Sequence, residues 1–144
     1  MGAEADATWV VDATSHSVGF FGFSATLRDW ARFGPMLAHD GACNGHQILP
    51  RQWLLDAMTV APGEEFRTPR RATPYYGYGY QVWLFPGPGR QFALLGVHGQ
   101  AVFVDPEARL VLAHTATRKL PARDPGAIEL SYLWNVLVKK FAGN

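Results

Sequence analysis

The chain has 144 residues, of which 48% are apolar and 17% charged, a composition typical of one folded globular domain. Thirteen Lys and Arg against twelve Asp and Glu leave a formal net charge of +1. This balance argues against nucleic acid or an acidic membrane as the main partner, because neither would meet a strong positive field. No run approaches the roughly 20 apolar residues that span a bilayer, and residues 1–6 (MGAEAD) lack the basic region and apolar core of a secretory signal. Cys43 is the single cysteine, which excludes an internal disulfide. We therefore expect a cytoplasmic protein.

Residues 1–60 are predicted to form a small helical segment. A first helix is expected after Thr26, which can cap it, with Asp29 supplying an acidic first turn. Pro35 is expected to kink or end this helix, because proline lacks an N–H donor and clashes with the preceding turn. After a glycine-rich loop, a short second helix is predicted to begin at Pro50.

A connecting loop and a β meander are predicted to follow. Residues 61–75 contain three prolines and are typical of a mobile connection. Residues 76–84 alternate bulky and small side chains, which predicts one strand. Three further strands are predicted over residues 92–97, 101–105 and 110–115.

The C-terminal segment is predicted to be an amphipathic helix. Asp124 can cap it and Pro125 can occupy its first position, while Lys139 and Lys140 in the last turn suit the helix dipole. The predicted apolar stripe consists of Leu130, Leu133, Trp134, Leu137 and Phe141. Helices, then an antiparallel meander, then a covering helix predict the α+β class for a single domain over residues 1–144.

Metal and cofactor signatures are missing from the sequence. The five histidines are scattered, and no two stand three or four residues apart, which argues against a helix-borne zinc pair. No glycine-rich loop ends in Lys-Ser or Lys-Thr, and the glycines of residues 76–80 do not lead into a helix. We therefore expect no metal and no cofactor.

A glycine pair in the meander is the first candidate for chemistry. Gly96 and Gly99 flank His98 and interrupt a strand pattern. Glycines there let a ligand approach the backbone closely and leave amide groups accessible. A fixed amide donor near developing negative charge is what an oxyanion hole requires. The alternative is a β-bulge that carries a surface histidine.

Five segments together resemble a known family. The order of these segments is similar to the C-terminal part of the serine β-lactamase-like hydrolases, which include class C β-lactamases, DD-peptidases and esterases. The nearest likeness is to the aminohexanoate-dimer (nylon-oligomer) hydrolases. The segments are residues 22–34 (GFSATLRDWARFG), 44–50 (NGHQILP), 76–80 (YGYGY), 96–100 (GVHGQ) and 104–106 (VDP).

The resemblance implies a partial β-lactamase/transpeptidase-like fold and acyl-enzyme chemistry on a small ester or amide substrate. The family uses a serine in a Ser-x-x-Lys motif and a third motif, Lys-Thr-Gly or a variant, on a strand. If Gly96 matches the glycine of that third motif, Val97 supplies a backbone oxyanion donor. Gly96, His98, Gly99 and Gln100 would then border the substrate. Leu94, Leu95 and Gly96 stand where Lys-Thr-Gly would be, which suits the esterase and amidase branches better than β-lactam hydrolysis.

The nucleophile motif is absent from this chain. None of Lys119, Lys139 and Lys140 lies three residues after a serine. The resemblance therefore implies a fragment that is inactive alone: a helical-lobe portion (1–60), a loop (61–75), and a meander with the C-terminal helix (76–144). Residues 109–116 would present an unpaired strand edge, and we expect the chain to self-associate through it or to need the N-terminal part of the fold supplied separately.

Two other functions remain open on the residues alone. The first is a binding module without catalysis that holds a small ligand with residues 76–83 and the loop at His98. The second is an interaction domain that works through Arg67, Arg70 and Arg71. The alternative is that these three arginines lie on a solvated loop without a binding role.

Overall fold

The computed structural model describes residues 1–122 and 124–141, which form three α-helices around short antiparallel strands. One-turn 3-10 helices cover Glu65–Arg67 and Val97–Gly99. In this part of the chain, no helix combines the length and the apolar character needed to cross a bilayer. The helices are α1 (Leu27–Ala38), α2 (Arg51–Met58) and α3 (Pro125–Phe141). The strands are β1 (Thr8–Trp9), β2 (Phe23–Ser24), β3 (Ala42–Cys43), β4 (His46–Gln47), β5 (Gly77–Tyr78), β6 (Trp83–Leu84), β7 (Phe92–Leu95), β8 (Ala101–Asp105) and β9 (Leu110–His114).

The central sheet has five antiparallel strands in the order β5-β6-β7-β8-β9, while β1-β2 and β3-β4 are separate two-stranded pairs. Helices α1 and α2 cover one face of the sheet and α3 covers the other. β9 shows this alternation, since Val111 and Ala113 pack towards α1 whereas Leu110 and Leu112 pack towards α3. The predicted α+β class, with a meander and a C-terminal covering helix, is confirmed.

The start of α1 is fixed by the predicted cap. Thr26 Oγ1 accepts a hydrogen bond from the Asp29 amide (3.1 Å) and donates to the Asp29 carboxylate (2.9 Å). The same buried carboxylate accepts from the backbone N–H of Glu4 (2.9 Å) and from Arg32 (2.8 Å). These bonds, chiefly that of Glu4, hold the pKa of Asp29 below its usual range. One carboxylate thus joins the N-terminal segment to α1.

The expectation that Pro35 ends or kinks the first helix is wrong as to its end, because α1 continues to Ala38. Met36, Leu37 and Ala38 are all buried in the core. A proline inside a helix costs about 3 kcal/mol, whereas burying a large apolar side chain contributes about 1.5–3 kcal/mol. Gly34 also lets α1 pack closely on the sheet, since a Cβ there would overlap the Val111 side chain of β9. The packing therefore outweighs the proline.

The single strand predicted over residues 76–84 is also wrong, because the segment is the hairpin β5-β6. The Gly79 amide donates to the Val82 carbonyl (2.8 Å), and Gln81 adopts a positive φ of 62° in the turn. A Cβ on Gly79 would overlap the Ala57 carbonyl, so only glycine fits against the end of α2. The alternating pattern came from two short strands and their turn.

The apolar stripe of α3 is narrower than predicted. Leu130 and Trp134 are buried and Val138 packs beside them, at a spacing of four residues. Trp134 stacks on Phe103 of β8. Leu133 and Phe141, which the sequence placed in the stripe, are 46% and 50% exposed. A single sheet face contacts only one side of a helix, so the flanking apolar residues remain outside the core.

β9 lies at one edge of the sheet. Among the described residues it pairs only with β8, from Ala101↔His114 to Asp105↔Leu110. The bare edge expected over residues 109–116 is therefore present along β9.

Arg67 links three parts of the fold. Its side chain is buried, whereas Arg70 and Arg71 of the same loop are exposed, so the three arginines do not form one exposed cluster. Its guanidinium pairs with Glu64 and donates to the carbonyl oxygens of Asp56 (3.1 Å), Ala57 (3.3 Å) and, through Nε, Tyr78 (3.3 Å). Arg67 thereby joins the end of α2 to the β5-β6 hairpin.

Arg67→Met should destabilise the fold by about 2–4 kcal/mol, because it removes the side-chain donor to the carbonyl oxygens of Asp56, Ala57 and Tyr78 and the ion pair with Glu64. Urea unfolding measures this loss. Arg71→Ala is the matched control and should change stability by less than about 0.5 kcal/mol. Equal effects of the two substitutions would show that Arg67 does not carry the link.

Candidate functional site

The predicted glycine-flanked segment forms the loop between β7 and β8. Leu95 pairs with Ala101, and the Gly96 amide donates to the Gln100 carbonyl (2.8 Å), which closes the loop. Within it, Val97–Gly99 form a tight turn in which His98 and Gly99 have positive φ. We call residues 96–100 the 96–100 turn.

Two cavities meet at this turn. The helix-side cavity, about 290 Å³, lies between the sheet and the beginning of α3. The aromatic-side cavity, about 560 Å³, lies between the turn and the N-terminal residues 20–25. Gly96, Val97 and Gln100 line both cavities. The turn therefore separates the two cavities and is accessible from each.

The aromatic-side cavity has no charged side chain among its described lining residues. Phe20, Phe21, Phe23 and Trp30 supply aromatic surface, and a few hydroxyl and amide side chains supply polarity. Phe20 is 84% exposed, so this wall is open to solvent. A cavity of this chemistry suits a neutral, largely apolar molecule.

Val97 has the features of a backbone donor. It is the first residue of the tight turn Val97–Gly99 and follows Gly96, whose backbone is extended. Among residues 1–122 and 124–141 no acceptor is found for this N–H. The side chain is 63% exposed. Its amide therefore has no partner among the described residues, on a turn that lines both cavities.

The other predicted site residues divide into two groups. Gly96 and Gln100 line both cavities, and Gly99 lines the helix-side cavity. His98 lines neither of the two. Its Nδ1 lies 2.8 Å from the Arg118 carbonyl oxygen, and the imidazole is exposed. Its predicted substrate contact stays a prediction.

The helix-side cavity holds a tyrosine–serine pair. The Tyr76 hydroxyl lies 3.3 Å from Ser131 Oγ, which also donates to the Ala127 carbonyl (3.0 Å). Burial raises the pKa of Tyr76, although the bond to Ser131 opposes this. A phenol with a raised pKa is a poor base at neutral pH, so this pair is not an activated nucleophile.

Charged groups enter the helix-side cavity from the chain that follows β9. Arg118 donates to the Gly126 carbonyl (2.7 Å), while the Asp124 carboxylate accepts from the Gly126 amide (3.0 Å) at the start of α3. Both side chains line the cavity. This wall is therefore polar and already internally hydrogen-bonded.

No group of three His, Cys, Asp or Glu side chains is placed to hold a metal ion within the described parts of the chain.

Sequence reasoning missed most of the cavity walls. The glycine pair identified the 96–100 turn, but nothing local connected it to residues 20–25 or to residues 116–121. The cluster of phenylalanines among glycines in residues 19–23 was the one available signal. Such exposed aromatic side chains on a flexible backbone are typical of a surface that receives a ligand or partner.

Comparisons with known proteins agree with the motif resemblance. The protein family described as Beta-lactamase matches residues 2–131. The 6-aminohexanoate-dimer hydrolase of Paenarthrobacter ureafaciens is 29% identical over 113 residues, which are 76% of this chain and 29% of that protein.

A solved structure is also similar. It is described as a "putative 6-aminohexanoate-dimer hydrolase" from Bacillus anthracis, with a TM-score of 0.78 and 30% identity, over 96% of this chain and 35% of that chain. This chain thus spans about a third of the length of these two relatives. The resemblance predicted from the motifs is confirmed.

Proposed function

Because the chain belongs to the Beta-lactamase family, we propose that it supplies the backbone oxyanion donor and part of the substrate cleft of a serine hydrolase for ester or amide bonds. The observation that carries the proposal is the Val97 N–H, for which no acceptor is found among the described residues, on a turn that borders an uncharged cavity. An amide held in a fixed position beside the reacting bond stabilises the negative oxygen of a tetrahedral intermediate.

The nucleophile of this reaction is proposed to lie outside residues 1–144. No Ser-x-x-Lys motif is present in them. Among the described residues, no serine hydroxyl is hydrogen-bonded to a histidine or a lysine. By this proposal the chain alone binds or orients but does not form an acyl-enzyme.

The substrate is proposed to be small and neutral near its reacting bond. The lining of the aromatic-side cavity supports this, because charged side chains are missing from its described part. Leu94 and Leu95 stand where the resemblance would place the lysine and threonine of Lys-Thr-Gly. An anionic group would find no cationic partner from these two positions, which favours esters and amides over β-lactams that carry a carboxylate.

A ligand-binding module without catalysis is the second candidate. Tyr76 and Trp83 both line the helix-side cavity, beside Val97 and Gly99. Tyr76 directly precedes β5 and Trp83 lies in β6, so the two do not belong to one strand. This arrangement supports binding of a small apolar molecule on the α3 side of the sheet.

A fluorophosphonate probe distinguishes these two functions. The 144-residue chain should not be labelled, because its serines lack a base. A longer polypeptide that adds a segment with the Ser-x-x-Lys motif should be labelled, and its Ser→Ala variant should not. Gel fluorescence after probe treatment measures this. Labelling of the isolated chain would contradict the proposed location of the nucleophile.

Val97→Pro tests the oxyanion donor in that longer polypeptide. Val97 has a negative φ, as proline requires, and Gly96 already has the extended backbone that suits a residue before proline. The substitution therefore removes the N–H with little change of fold, and kcat should fall about 10²-fold. Val97→Ala keeps the N–H and should retain nearly full turnover. Near-normal kcat in the proline variant would reject the assignment.

The isolated chain is also expected to self-associate. The outer edge of β9 is bare among the described residues, and Ile128 and Tyr132 on α3 are 76% and 71% exposed. Sedimentation velocity should show larger species as concentration rises. Ile128→Lys should leave this unchanged if pairing uses β9. A monodisperse monomer that unfolds cooperatively at low concentration would contradict the expectation.

A further inference from the structure

Two histidine side chains hold the 96–100 turn against neighbouring backbone. His98 Nδ1 lies 2.8 Å from the Arg118 carbonyl oxygen, and His114 Nδ1 lies 2.8 Å from the Gly99 carbonyl oxygen. Because a carbonyl oxygen only accepts, each Nδ1 carries the proton and donates. The neutral Nδ1–H tautomer and the imidazolium both satisfy this requirement. The two bonds therefore persist whether or not the rings are charged.

Backbone hydrogen bonds complete the attachment. The Arg118 amide donates to the His98 carbonyl (2.9 Å), and the His98 amide donates to the Pro121 carbonyl (3.3 Å). The Gln100 side chain adds a bond from Nε2 to the Ala116 carbonyl (3.3 Å). The turn is thus bonded on its outer side to the chain that leaves β9.

The backbone of the turn needs such support. His98 and Gly99 both have positive φ, at 60° and 101°. For a residue other than glycine this conformation costs about 1 kcal/mol or more. A Cβ on Gly99 would lie 2.9 Å from Arg118 Nε and 3.0 Å from Ala116 Cβ, so the neighbouring chain packs tightly on it. The contacts that surround the turn maintain an otherwise unfavourable conformation.

Val97 stands next to these attachments but takes no part in them. Its N–H has no acceptor among the described residues, while bonds hold Gly96, His98 and Gly99 on either side. The attachments lie on both sides of this N–H and do not use it. A donor that is already oriented costs no reorganisation when charge develops.

We propose that His98 and His114 are positioning residues that orient the Val97 N–H through the backbone of the 96–100 turn. This inference rests on the proposed function, in which that N–H is the oxyanion donor. In this role His98 acts through its bonds to Arg118 and Pro121 and not through contact with the substrate.

Three variants at position 98 separate the hydrogen bond from the backbone conformation. Asparagine tolerates positive φ and carries an amide donor close to where Nδ1 lies. Glycine tolerates positive φ but has no donor. Alanine lacks the donor and also strains the backbone. Asn and Gly therefore form a matched pair that differs in the donor.

Amide hydrogen exchange of the 144-residue chain, followed by NMR, provides the first measurement. The Arg118 amide, which donates to the His98 carbonyl, should exchange about tenfold faster in His98→Gly and at the wild-type rate in His98→Asn. His98→Ala should exchange at least as fast as His98→Gly. The Phe103 amide in β8 is the internal control and should not change.

Three results would overturn the inference. They are an unchanged Arg118 rate in His98→Gly, an equally fast rate in His98→Asn, and an equal acceleration at Phe103, which indicates global rather than local loosening. His114→Asn and His114→Ala provide a second, independent pair, read at the Gly96 amide with the same expectations.

Turnover of the longer polypeptide supplies the second measurement. His98→Gly should lower kcat about tenfold with little change in KM, and His98→Asn should restore it. An equal loss in both variants would overturn the positioning role. If exchange behaves as expected but Val97→Pro keeps full turnover, the proposed function fails while the attachment stands. If the exchange rates do not change as expected but Val97→Pro lowers kcat, the attachment by His98 fails while the proposed function stands.

Discussion

Burial of β8 on both faces is the constraint on which the rest of the structure depends. All five of its residues are buried, with helices packed above and below the sheet. Its pairing with β7 closes at Leu95↔Ala101, so the 96–100 turn emerges at a fixed point where the core ends. Shifting the strand by one residue would exchange its two faces, which the helices on both sides prevent. The position of the Val97 amide follows from this register.

The sequence predicted those elements whose signals are local. The Thr26 cap, the beginning of α3 at Pro125 and the strands of the meander each depend on a few neighbouring residues. The errors arose where distant contacts decide. Pro35 remains inside α1 because the residues that follow it are buried in the core. Gly79 stands in the β5-β6 turn, where the end of α2 leaves no room for a Cβ. Neither contact is visible in a linear pattern.

The candidate site divides in the same way. A pair of glycines around His98 identified the turn, since glycine at such positions reports an unusual backbone. In the structure, Gly99 and His98 have the positive φ, whereas Gly96 has an extended backbone. The aromatic wall near Phe21 and the wall at Arg118 come from segments far apart in the chain, so only the folded arrangement brings them to the turn. The sequence can therefore predict a functional feature that lies within one loop, but not one that is assembled from distant segments.

Arg67 connects α2 to the β5-β6 hairpin. Its guanidinium joins the last turn of α2 to Tyr78, and Tyr78 pairs with Trp83 across the hairpin. Trp83 in turn forms part of the helix-side cavity. The end of α2 is thus connected, through one side chain and one strand pair, to the cavity on the opposite face of the sheet.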